Sequence, residues 1–236
     1  MLLKMKIPTV RIEDTLGPPP GPPEKWDIPS LIARYTFDEE NYRDSKGSYH
    51  GTGDGTFIDG ILGKGATFAT TGQKATLPIP DDFMSGNAEF SICMWNRLDG
   101  DTYPGSYHLA WDLPDGKKWQ IVNNSGRWGL ARNASYANSY DFLVGNSLAG
   151  TGWHFLAFGY DGEKSWGRLD DGLYNPNYAT TAEKVDATSI TPNAGEGFYM
   201  EKTGDTVVSN DQMHFFAGHT LTTAEMDIFY NAGVGI

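Results

Sequence analysis

Phe90-Ser91-Ile92-Cys93-Met94-Trp95 is the stretch on which the fold assignment turns. Phe90, Ile92 and Met94 alternate with Ser91, Cys93 and Trp95, the period of two that a strand with a core-facing side requires. The same alternation begins at Leu31, Ala33, Tyr35 and Phe37. Further strands are expected over 74–79, 107–112, 119–123, 128–132, 153–160, 165–169 and 213–218. Asp-Gly pairs stand at 54–55, 59–60, 99–100, 115–116, 161–162 and 171–172, and Asp-Gly supplies the positive φ of tight turns between antiparallel strands. No strand is followed by an amphipathic run of the length a parallel crossover needs. The expectation is one all-β antiparallel sandwich over residues 31–236.

A single helix is expected near the end. Thr222-Thr223-Ala224-Glu225 is a capping box, Leu221 and Met226 form a hydrophobic staple, and Gly233 offers a stop. The short helix is expected to close one end of the sandwich.

Composition narrows the partners. A net charge of −12 repels phosphate backbones, so nucleic acid is not an expected partner. Cys93 is the only cysteine, which excludes an intrachain disulfide and a thiolate zinc site; its place in an apolar strand predicts a buried, inert thiol. The residues from Met1 to Pro8 lack the apolar core of a secretory signal, and no run is long enough to span a bilayer. Synthesis in the cytoplasm without a signal peptide and no membrane partner are therefore expected.

Residues 1–30 differ from the rest. Pro18, Pro19, Pro20, Pro22 and Pro23, followed by Trp26, favour an extended polyproline segment that cannot join a central sheet. It reads as a flexible linker or as an arm that anchors the chain in an assembly, and the anchoring reading is preferred.

The order of segments resembles the laminin-G-like, concanavalin A-like lectin and glucanase superfamily from Leu31 to Gly233. Ala33-Arg34-Tyr35-Thr36-Phe37-Asp38 with Asp44-Ser45-Lys46-Gly47 looks like that family's first strand and turn, and 60–68 like its glycine-rich lead into a strand. Phe90 to Trp95, the hairpin from Trp153 to Gly172, and Leu221 to Gly233 complete the likeness. The resemblance implies a jelly-roll sandwich. It also implies a carboxylate pattern Glu-x-Asp-x-x-Glu in the members that hydrolyse glucans, and that pattern is absent here. Adjacent carboxylates such as Asp81-Asp82 and Asp170-Asp171 face opposite ways on a strand and read as solvated turns.

Two binding chemistries remain. Many relatives hold one structural calcium, for which Asp38, Asp44 and Asp211 are the candidate ligands. Glycan binding needs exposed aromatic faces beside polar groups, and Trp111, Trp119, Trp128, Tyr136 and Tyr140 cluster with Arg132; alternation puts half of such rings in the core. The expected function is a non-catalytic structural protein on a virion surface, capsid or tail. It is expected to oligomerise, to be anchored through its arm to other virion proteins, and to display a lectin-like sandwich to surface glycans. The alternative is a carbohydrate-binding module, and a glycoside hydrolase is the least favoured reading.

Overall fold

The computed structural model describes residues 28–85, 88–99, 107–124, 127–134, 142–144, 152–170, 172–174, 194–203 and 206–234. Pro18, Pro19, Pro20, Pro22, Pro23 and Trp26 lie outside the described residues, as do Tyr136 and Tyr140.

Fifteen strands form among the described residues: β1 (Leu31–Tyr35), β2 (Thr52–Gly53), β3 (Thr56–Asp59), β4 (Lys64–Phe68), β5 (Lys74–Leu77), β6 (Phe90–Asp99), β7 (Tyr107–Asp112), β8 (Lys118–Asn124), β9 (Arg127–Ala134), β10 (Phe142–Val144), β11 (Trp153–Tyr160), β12 (Ser165–Leu169), β13 (Gly172–Tyr174), β14 (Phe198–Glu201) and β15 (Val207–Ala217). The helix α1 spans Thr223–Val234. One sheet runs β13-β12-β11-β6-β15-β4-β3, with β1 also on β15; the other runs β10-β9-β8-β7-β14-β5-β2. The ladders are antiparallel, among them Phe90↔Tyr160 to Arg97↔Trp153 between β6 and β11. The fold is thus the all-β antiparallel sandwich that the alternation requires.

Among the described residues the Asp-Gly pairs at 54–55, 59–60, 115–116 and 161–162 fall at the ends of strands and between them. Gly162 adopts φ 90 in the β11–β12 turn and Gly116 φ 70 between β7 and β8, conformations open to glycine at no steric cost. The strands missing from the alternation are β2, β3, β4, β10, β13 and β14, of which β4 entered only through the family likeness. Each spans at most five residues, too few for a period of two to stand out.

The core lies between the sheets and is largely aromatic. Phe198 of β14 sits at its centre, with ring centroids 4.7 Å from Trp111, 5.2 Å from Trp119, 5.4 Å from Phe215 and 5.8 Å from Phe83. These tilted and edge-on contacts suit the quadrupoles of the rings. They join β7 and β8 of the second sheet to β15 of the first.

The capping box forms as read. Thr222 N–H donates to Glu225 Oε2 at 2.7 Å and Glu225 N–H to Thr222 Oγ1 at 3.3 Å, and the staple residues Leu221 and Met226 are both buried. The placement of the helix differs from expectation. It does not close an end of the sandwich but lies on the outer face of the first sheet, where Cys93, Trp95, Phe155 and Phe216 pack with Met226 and Phe229. That is why Phe90 to Trp95 is apolar on both faces: one side meets the core and the other meets α1. The helix also continues through Gly233 to Val234. Cys93 is buried and free, and burial pushes its thiol well above the usual range.

At the start of the domain a register shift between Leu31 and Ala33 turns Leu31 to the helix side, while Ala33, Tyr35 and Phe37 stay in the inner core. Ile28 packs on the helix-side cluster, and Ser30 C=O accepts from Ala217 N–H at 3.0 Å. Residues 28–30 are therefore packed as part of the sandwich.

Phe198→Ala is expected to lower unfolding free energy by about 3–5 kcal/mol, the range for removing a buried aromatic ring. Urea titration of the variant measures it. A loss below about 1 kcal/mol would show that the two sheets do not depend on this contact.

Candidate functional site

Trp111, Trp119 and Trp128, expected to include a glycan platform, are each 0% exposed in the inner core. They occupy inward positions on β7, β8 and β9, and no indole face is left for a sugar. This corrects Trp111, Trp119 and Trp128 as glycan-binding residues. Burial of large apolar rings outweighs their display unless the strand faces solvent. The backbone of Arg132 lies in β9.

Trp128 instead serves a polar island at one end of the core. Its Nε1–H donates to Asn96 Oδ1 at 2.8 Å, and Asn96 Nδ2 lies 2.8 Å from His108 Nδ1 and 2.7 Å from Asn210 Oδ1. His108 is the extra residue of a bulge between Tyr107 and Leu109, which allows its ring to turn inward toward β6. Because Asn96 donates to Nδ1, the assigned tautomer carries its proton on Nε2. Burial pushes the imidazole down to about 3, so it is neutral. At the rim of this island His154 Nδ1 lies 2.9 Å from Asp170 Oδ2.

The three aspartates expected as calcium ligands hold backbone instead. Asp44 accepts from Arg34 N–H and Lys46 N–H at 2.9 Å and from Tyr49 N–H at 3.2 Å. Asp211 accepts from Ile61 N–H at 2.9 Å, Leu62 N–H at 3.1 Å and Gln212 N–H at 2.7 Å. Asp38 accepts from Lys64 N–H at 3.0 Å. Asp38 and Asp211 thus grip the same β3–β4 turn from two sides, and Asp44 serves a different loop. Calcium takes six to eight oxygen donors, whereas these carboxylates face amide hydrogens. Among the described residues no three acidic, histidine or cysteine side chains converge on one point. The set does not fit a calcium ion. Burial pushes Asp211 up to about 7, opposed by the three amide bonds and reinforced by the charge of Asp38.

What the outer faces offer was not legible in the sequence. On the second sheet Tyr199 is buried, its hydroxyl 2.6 Å from Lys118 Nζ and 3.0 Å from Asp112 Oδ1, with Lys74 Nζ 4.0 Å above its ring. That ring face is already occupied by an ammonium. On the first sheet two tryptophans, Trp153 and Trp166, remain half-buried beside the helix-side cluster. Each rests on a glycine. A Cβ at Gly65 would stand 2.8 Å from Trp153 Cη2, and one at Gly159 would collide with the ring of Trp166. Trp153 therefore reaches from β11 across β6 and β15 to β4.

Beside Trp153 in the ladder is Arg97. Its Nε stands 2.8 Å from Asp99 Oδ2, with 38% and 36% of the two side chains exposed. The N–H is not aimed along this contact, so it is an attraction of charges more than a directed bond. The ladder thus sets Trp153 and Arg97 side by side on one face of the sheet, and Arg97 pairs with Asp99. The only hint in the sequence was Trp153 opening a strand, and the family likeness had already assigned that residue to a hairpin.

No protein-family model matches the sequence, and no curated protein matches it by sequence. Solved structures do match in shape. Domain 4 of AbnA, an extracellular arabinanase of Geobacillus stearothermophilus solved with arabinotriose, is 19% identical with a TM-score of 0.58, over 84% of this chain and 98% of that one. This chain is an antiparallel β-sandwich of that shape. The type C botulinum neurotoxin structure, whose cell entry depends on two ganglioside molecules, is 18% identical with a TM-score of 0.64, over 87% of this chain and 52% of that one. A Trypanosoma rangeli sialidase with difluorosialic acid is 14% identical with a TM-score of 0.60, over 87% of this chain and 33% of that one. The chain spans about half the length of the neurotoxin structure and a third of the sialidase. At these identities the likeness is one of fold.

Buried titratable groups set the acid response. His214, like His108, is pushed down to about 3, by burial first and then by Arg34. Unfolded imidazoles take a proton near about 6.5. Stability from each histidine is therefore complete above that pH and falls by about 1.4 kcal/mol per unit as pH drops toward 3. Asp211 works in the opposite sense. Folded, it binds its proton near 7, and unfolded near about 3.9, so its contribution rises as pH falls through that window. Asp211→Asn is expected to steepen the loss of stability between pH 6 and 4.5 by about 1.4 kcal/mol per unit. Urea midpoints of both proteins measure the difference. Equal slopes would show that Asp211 is ionised throughout.

Proposed function

We propose that this chain is a non-catalytic glycan-binding sandwich. The observation that carries the reading is Trp153, laid on Gly65 at the surface of the first sheet with Arg97 and Asp99 beside it. Sugar recognition pairs an apolar face with a few fixed donors and acceptors, and these residues supply both. The fold supports it: domain 4 of AbnA was solved with arabinotriose, and the type C neurotoxin depends on gangliosides. The non-catalytic part is supported by the work of the carboxylates. Asp38, Asp44, Asp170 and Asp211 each accept backbone N–H groups, which leaves them poorly suited to the acid and nucleophile of a retaining glycosidase, held about 5 Å apart.

The wider setting is an assembly such as a virion surface, with the proline-rich segment as its anchor. The support is the run Pro18 to Pro23, together with the docking of Ile28 and Ser30 on the first sheet. Removal of residues 1–27 is expected to leave a folded sandwich that no longer joins its assembly, and retained incorporation would reject the anchor.

Glycan binding itself is tested by presenting the full chain to an array of neutral and acidic glycans, with a parallel assay for polysaccharide hydrolysis. Binding to at least one glycan without hydrolysis is expected. A blank array rejects the reading, and hydrolysis rejects its non-catalytic part.

A further inference from the structure

Resting on the glycan-binding reading, we infer that the shelf formed by Trp153, Arg97 and Asp99 takes a neutral sugar through a vicinal pair of hydroxyls. The indole supplies the stacking face. It is half-buried and lies over Gly65, where a Cβ would stand 2.8 Å from its Cη2 and 3.3 Å from its Cζ2. An aromatic ring held this way loses little freedom on binding, which favours affinity.

The charged pair supplies the polar code. A guanidinium only donates hydrogen bonds and an ionised carboxylate only accepts them. Arg97 Nε is buried 2.8 Å from Asp99 Oδ2, so the donor edge offered to a ligand is the outer Nη end of the guanidinium, with the carboxylate beside it as acceptor. Two neighbouring hydroxyls on a sugar match that arrangement, one accepting from Arg97 and the other donating to Asp99. Both protein groups are partly in solvent, so the ligand needs to displace only loosely held water.

Charge decides against an acidic sugar. A carboxylate placed on Arg97 would lie beside Asp99, and the chain carries −12 overall. Both oppose a second anion at the site. The pairing of Arg97 with Asp99 already neutralises the one cation of the shelf.

Titration of the full chain with arabinotriose and with 3′-sialyllactose, followed by the Trp153 indole N–H resonance, tests the inference. Arabinotriose is expected to shift that resonance, with an affinity that changes less than about twofold between low and high salt, since a neutral ligand feels little screening. Trp153→Ala is expected to weaken binding at least about tenfold, and Trp153→Phe to restore much of it. Gly65→Ala is expected to weaken it too, by displacing the ring, and Trp166→Ala to leave it unchanged. The melting temperature of each variant shows that it is folded.

Binding of sialyllactose in preference to arabinotriose, with loss on adding salt, would overturn the neutral class while leaving glycan binding intact. Binding retained in Trp153→Ala would overturn the shelf in the same limited way. Failure of both sugars here, with a positive array, overturns the vicinal-diol inference alone, whereas a blank array removes the reading beneath it as well.

Discussion

Phe198 is the point at which the two sheets become one structure. Its ring meets Trp111 and Trp119 on its own side and Phe215 on the other, so the facing layers share one aromatic packing unit. The consequence reaches the function. With these indoles committed to the centre, the second sheet displays no indole among its described core positions.

The first sheet can offer one because it carries apolar residues on both sides. Its inner rows, including Phe90, Ile92 and Met94, fill the sandwich, and its outer rows hold α1. Beside this cluster Trp153 and the Arg97–Asp99 pair stand partly in solvent. One strand organises this region. β15 pairs with β6, and a register shift between Asp211 and His214 marks where its other neighbour changes from β4 to β1. Gln212 takes φ 49 there, a left-handed conformation that costs a non-glycine residue about 1 kcal/mol or more.

Much of the fold was legible in the sequence because strands, turns and caps leave local marks. The alternation at Phe90 to Trp95, the Asp-Gly pairs and the Thr222–Glu225 box are short-range patterns with short-range causes. The position of α1 was not legible, because an amphipathic helix shows that it has an apolar face without showing which surface receives it. Double-sided burial of β6 was the available clue, since Cys93 and Trp95 are apolar where a solvent-facing row would be polar. The site failed for a related reason. Trp111, Trp119 and Trp128 were visible as a cluster, but a cluster of rings in strands is compatible with either side of a sheet. Trp153 could not be recognised because its seat is Gly65, nearly ninety positions away in the chain, and no local pattern records an absent Cβ.

The same long-range logic explains why the acidic residues matter without binding a metal. Asp38 and Asp211 hold the turn between β3 and β4 through its amides, and a side chain on Gly60 or Gly63 would run into one or other carboxylate. That turn delivers Lys64 and Gly65 into β4 beside β15. If it moved, Gly65 would move with it and the indole of Trp153 would lose its seat. A ring placed on a strand and levelled by the buried Asp211 and the exposed Asp38 keeps its orientation better than one carried on a loop. Asp38 and Asp211, which looked like ligands, are therefore better understood as the support of an aromatic surface, acting through the backbone they hold.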